Sequence, residues 1–134
     1  MPRGIANKNI SDEAQEQEAL FRWAEFAACK YPELALMYHI PNEGKRTVSN
    51  GATLKRQGLK KGVPDICLPV PRGKYHGMYI EMKRIGGKPT DEQKNYINEL
   101  AKQGYACFVA DKGWKDASEI IKKYLRLEND NYEL

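Results

Sequence analysis

Two carboxylates and a lysine, Asp65, Glu81 and Lys83, interrupt two short apolar runs, DICLPV at 65–70 and MYIEMK at 78–83. Side chains two apart on a strand share a face and lie about 6 to 7 Å from each other. Glu81 and Lys83 therefore project together, while Ile80 and Met82 point the other way. Two ionised groups partly removed from water cost several kcal/mol unless they are paired or bind a metal. Asp65 opens its run directly after Pro64, where the missing proline N–H costs a ladder least. The intervening PRGKYHG carries the turn signals of a hairpin, so Asp65 and Glu81 are expected at one end of a sheet. Converging carboxylates repel unless a cation sits between them, and a hard, oxygen-seeking ion such as Mg²⁺ or Mn²⁺ suits the pair. Phosphodiester hydrolysis needs a cation to polarise the phosphoryl oxygen and acidify a water, with a positive group beside the attacking oxygen. Lys83, a compact charge with three donors, fits that second need. The alternative is a Glu and Lys pair on the solvated face of an exposed strand.

Other residues bear on the same site. The apolar stripe Leu20, Ala24 and Ala28, extended backward by turns, lands on Gln17 and Glu13, with Glu16 at its edge and Glu18 outside it. Glu13 is the acid expected to reach the metal, directly or through a water; the competing account is that acids simply enrich first helical turns through the dipole. Thr90 and Gln93 match the capping box TxxQ, yet Gln93 also lies one turn before Ile97 on an inward stripe, and both roles stay open. No acid occurs between Glu43 and Asp65, whereas Lys45, Arg46, Lys55, Arg56, Lys60 and Lys61 do, interleaved with four glycines. A basic, Gly-rich segment follows a phosphate backbone with salt-sensitive, sequence-independent affinity, or it is a solvated loop. His39 and His76 have no ligand partner at useful spacing, and no catalytic histidine is expected. Tyr75 and His76 at the hairpin tip are candidates for base stacking or plain exposure, and Trp23 and Trp114 for core or edge positions.

The elements that must position these groups follow from period. A helix is predicted from Asp12 to about Lys30, a strand at 34–40 (LALMYHI), the hairpin strands at 65–70 and 78–83, and a second helix from about Thr90 to Gln103 with Tyr96, Ile97, Leu100 and Ala101 inward. The strand YACFVA and a last helix from about Lys115 to Leu125, with Ala117, Ile120, Ile121, Tyr124 and Leu125 inward, complete the chain. The order αβββαβα implies an α/β fold, a mixed sheet of about four strands flanked by helices. The 134 residues, 41% hydrophobic and 30% charged, suit one domain burying roughly two-thirds of its unfolded surface, with a core at about 12–125 and frayed ends. Cys29, Cys67 and Cys107 form no CxxC pair and are expected reduced and buried. No run approaches the roughly 18 apolar residues of a membrane span and no leader is evident, so a cytoplasmic location and no membrane partner are expected. The net charge of +4 is modest, and its distribution is more telling than its size.

Val63-Pro64-Asp65-Ile66 followed by Tyr79-Ile80-Glu81-Met82-Lys83 resembles the PD-(D/E)xK nuclease motif. The flanks resemble its virus-type replication-repair (VRR-NUC) branch: PNEG at 41–44, LKKGVPD leading to the first strand, EMKR, Gln93 in the next helix, and the Gly104-Tyr105 pair. The likeness covers roughly residues 12–125. It implies a restriction-endonuclease-like core, a divalent metal and cleavage of DNA, with Holliday junctions, flaps or other branched structures as substrates and DNA repair as the setting. It places a first-helix glutamate near the metal, consistent with Glu13, and Gln93 at the active-site edge, orienting a water or a phosphate. Stand-alone members of the branch resemble junction-resolving homodimers, and a chain this small has little surface for a whole junction. No nucleotide cofactor is expected. Two other classes stand beside this reading: a silent nucleic-acid-binding module that kept the fold, and an interaction protein with a polar sheet face and no response to metal.

Overall fold

The computed structural model describes residues 12–41, 48–128 and 134. Helix α1, Glu13–Ala27, starts at Asp12, whose side chain accepts from the Gln15 N–H while the Gln15 side chain accepts from the Asp12 N–H. That reciprocal cap satisfies two of the donors that a helix start leaves open. Strands β1 (Tyr38–His39), β2 (Ile66–Leu68), β3 (Met78–Met82) and β4 (Ala106–Ala110) form one sheet in the order β1-β2-β3-β4. The first three strands are antiparallel, and β4 joins β3 in parallel after the crossover through helix α3, Asp91–Lys102. Helix α4, Trp114–Leu125, closes the fold. The α/β architecture expected from the sequence, a mixed four-stranded sheet flanked by helices, is the observed one.

Strand register divides the side chains between two faces. Met78, Ile80, Met82, Ala106 and Ala110 turn toward α1 and α4 and join Leu20, Ala24, Ala117, Ile121 and Tyr124 in the buried core. The Tyr124 hydroxyl donates to the Val70 carbonyl at 2.6 Å, tying α4 to the hairpin. The other face carries Tyr79, Glu81 and Cys107 toward α3, where the Cys107 thiol reaches the Ile97 carbonyl. Because Ile66 pairs with Ile80, the same register sets Asp65 opposite Glu81.

Four expectations need correction. Residues 34–40 are not one strand: Pro32–Leu36 is a 3-10 helix, and only Tyr38 and His39 pair with β2. Pro32 sits at the helix start, where its missing N–H is harmless. Leu34 and Met37, the buried pair, are three apart, as on a helical face, while Leu36 is exposed. Within the basic segment a helix that the sequence did not suggest, α2, spans Val48–Arg56. On α3, Tyr96, Ile97 and Leu100 are half-buried, but Ala101 is exposed. Cys29 is exposed too, while Cys67 is buried and Cys107 half-buried. Among the described residues no helix is long and apolar enough to cross a membrane.

Candidate active site

Strands β2 and β3 bring the two central acids together by their register, and the first turn of α1 adds a third. Carboxylate oxygens of Glu13, Asp65 and Glu81 all lie within 4.8 Å of one another. Asp65 is buried and Glu81 is 0% exposed. Asp65 Oδ2 accepts the Met82 N–H at 2.8 Å, so the carboxylate takes the backbone donor at the point where the β2 ladder stops. The main-chain oxygen of Asp65 accepts from the Ile40 N–H at 2.6 Å and lies 2.8 Å from His39 Nδ1, which fixes the residue from both ends. His39 therefore stands beside the acids through a backbone contact.

Glu81 is held asymmetrically. Its Oε2 accepts from Gln93 Nε2 at 2.9 Å and lies 3.6 Å from Lys83 Nζ, whereas its Oε1 is buried with no hydrogen-bond partner. Burial raises the Glu81 carboxyl to about 8; the Asp65 charge adds to the rise and the Lys83 ammonium opposes it. Lys83 Nζ is also 3.9 Å from Glu13 Oε1, and its side chain is only 12% exposed. One ammonium thus serves carboxylates from two elements. A buried, orphaned carboxylate oxygen costs the full desolvation of an acceptor. A hard divalent cation among these oxygens removes that penalty together with the mutual repulsion, so the donor set fits Mg²⁺ or Mn²⁺.

Gln93 caps α3 and also contacts Glu81. Its Oε1 accepts the Thr90 N–H at 2.8 Å and its own N–H donates to Thr90 Oγ1, completing the capping box, while Nε2 reaches Glu81. Helix capping thereby orients the amide that grips the acid. Beside the acids lies a cavity of about 350 Å³ lined by Glu13, Lys61, Gly62, Asp65, Thr90 and Gln93. Gly62 has φ +88°, and a Cβ there would stand 2.5 Å from the Glu92 carbonyl oxygen. Only glycine lets the 60–63 turn approach the start of α3 this closely, which sets Lys61 at the cavity rim.

The other basic candidates are placed less closely. Lys55 and Arg56 end α2, Lys60 and Lys61 follow it, and all four are exposed. Lys45 and Arg46 lie outside the described residues. Tyr75 is half-buried against Tyr124, and His76 packs edge-on to Tyr105. Trp23 and Trp114 pack on the margin of the core.

The sequence reading missed Glu16. It is buried at 5% exposure, and its Oε1 accepts the Trp114 N–H, the first of α4, at 2.8 Å. The signal was present, because Glu16, Leu20 and Ala24 follow one another at spacings of four and are the three buried residues of α1. Glu16 pins α1 to α4 one turn from Glu13.

The VRR-NUC domain family model matches residues 2–113 of the chain. Among curated proteins none matches. A solved structure described as a VRR_NUC domain protein superposes with a TM-score of 0.79 at 32% sequence identity, covering 92% of this chain and 98% of its own. With most of its length matched in sequence and nearly all of it in fold, the chain belongs to the VRR-NUC domain family, a nuclease-type family.

Proposed function

We propose that this chain is a divalent-metal-dependent endodeoxyribonuclease that hydrolyses phosphodiester bonds in branched DNA, such as a flap or a four-way junction. The observation that carries the reading is the convergence of Glu13, Asp65 and Glu81 within 4.8 Å, with one Glu81 oxygen buried and unpartnered. Family membership supports the reaction class.

Glu13, Asp65 and Glu81 would hold the metal, Mg²⁺ with Mn²⁺ able to substitute. Bound there, it would polarise a phosphoryl oxygen and acidify a water. The chain's own groups do the rest. Asp65 is locked by the Met82 N–H, so its carboxylate keeps one direction. Gln93 holds Glu81 Oε2 and leaves Oε1 open. Lys83, half-buried beside two acids, orients the attacking water and offsets the negative charge that builds up at phosphorus. Lys61 at the rim engages a neighbouring phosphate, and Lys55, Arg56 and Lys60 extend the contact without reading sequence. A small chain covers little of a junction, so two copies working as a symmetric dimer suit such a substrate.

Nicked, flapped and four-way DNA incubated with the protein in EDTA, Mg²⁺ or Mn²⁺ tests the reading. Cleavage is expected in either metal, not in EDTA, and not with Asp65→Ala. Tight binding without cleavage in any metal would replace it with the silent-module reading.

A further inference from the structure

A second cavity lies along α3 beside the first. It has a volume of about 450 Å³ and is lined by Lys61, Glu92, Tyr96, Glu99, Leu100 and Gln103. Lys61 and Glu92 also line the cavity beside the acids, so the two hollows adjoin, the second forming a trough along α3. The size falls within the roughly 300–1,000 Å³ of small-ligand sites. Tyr96 and Leu100 are one helical turn apart and half-buried, and α3 has no fully buried residue along its length. An apolar, aromatic floor therefore sits one turn beyond Gln93, the residue that touches Glu81.

Charge decides what such a floor accepts. Glu92 and Glu99, both exposed and seven residues apart, stand along the trough. Two carboxylates at that spacing repel a phosphate, so the nucleic-acid backbone stays at Lys61 while the uncharged part of a nucleotide enters. A base has a π-face for Tyr96 and N–H donors for a carboxylate. A base inside a duplex is stacked on both sides and has no free face to offer.

We propose that the α3 trough is a base-binding subsite, in which an unpaired nucleobase beside the scissile phosphate stacks on Tyr96 and packs against Leu100. The choice of ligand rests on the nuclease reading above. The subsite would select for unpaired DNA at a branch, because only there is a base free to enter.

The test is a flapped oligonucleotide carrying 2-aminopurine at the unpaired position next to the cleaved bond, bound by the full chain in Ca²⁺. Quenching of the probe by wild type and Tyr96→Phe is expected. With Tyr96→Ala the quenching disappears and binding weakens about tenfold, within the range of a single base–aromatic stack. Asn95 is exposed and also lines the trough, so the longer, non-aromatic side chain of Asn95→Met obstructs it from the solvent side without touching the core and should reduce the quenching and the affinity as well. That variant decides the matter if Tyr96→Ala unfolds. An unquenched probe with wild type, or wild-type quenching and affinity in Asn95→Met, overturns the subsite while leaving cleavage intact. Quenching by a protein that cuts no DNA in any metal would instead sink the nuclease reading and keep the subsite.

Discussion

At the scale of single residues the chemistry turns on a proton. Glu81 is raised from 4.5 to about 8, first by burial and then by the Asp65 charge. Without a divalent ion the folded chain holds a proton that the unfolded chain has already released between those values. Stability is therefore greatest on the acid side of that window and falls as pH rises through it. A cation among the three acids must displace the same proton. Apparent metal affinity is thus expected to rise about tenfold per pH unit up to about pH 8 and to level off above it. Calorimetry in buffers of different ionisation enthalpy checks this: about one proton released near pH 7 and almost none near pH 9. An affinity flat across the window would mean that Glu81 is already ionised. Lys83 makes a separate prediction. Lys83→Met keeps the stem and removes the charge, and should slow turnover about 100-fold or more while metal still binds. Cleavage at the wild-type rate would remove Lys83 from the reaction.

At the scale of elements, two helix starts converge on the acids, and their anchors were unequally legible. Glu16→Ala leaves the Trp114 N–H without its acceptor, an expected loss of about 1–3 kcal/mol, visible as a drop of several degrees in the thermal midpoint. Glu16→Gln keeps an acceptor and should recover much of it. If Glu16 also aims Glu13, metal affinity falls in the alanine variant and returns in the glutamine variant; unchanged affinity in both would leave it a purely structural tie. Gly62→Ala is expected to destabilise the chain and weaken DNA binding together, because its Cβ meets backbone at 2.5 Å and displaces Lys61. A hydrogen-exchange map of α3 set against a binding isotherm tests the coupling. The hairpin and its acids were legible because period two and a turn act over a few residues, and register then does the rest. Glu16 was hidden because a buried carboxylate on a helix start resembles the dipole-favoured acids around it. Residues 34–40 misled because seven mostly apolar residues fit either period, and only burial separates Leu34 and Met37 from Leu36. Helix α2 escaped because Gly51 lies inside it and glycine disfavours helix interiors. Its C-terminal end is closed by local bonds, Gln57 N–H to the Thr53 carbonyl and Leu59 N–H to the Leu54 carbonyl.

For the whole molecule, affinity for DNA should come mostly from charge placed near the site. A net charge of +4 spread evenly would attract a polyanion weakly, yet Lys55, Arg56, Lys60 and Lys61 are exposed within seven positions of one another, and the last of them borders the cavity beside the acids. Each phosphate neutralised on duplex DNA contributes about −0.9 to the slope of log K against log salt. Four such contacts predict a slope of about −3 to −4, steeper if a second copy contributes its own set. Lys55→Glu and Lys60→Glu should each flatten it by about 1 and weaken binding to all sequences alike, because neither reads a base. Lys61 stands apart: as the basic residue that lines both cavities, its loss should flatten the slope and also slow cleavage. Titrations at several salt concentrations, paired with single-turnover rates at saturating protein, separate the two effects. A Lys61 variant that loses affinity but cuts at the wild-type rate when saturated would make the rim a mere tether, whereas a slower cut at saturation places Lys61 among the groups that align the phosphate with Glu81 and Lys83.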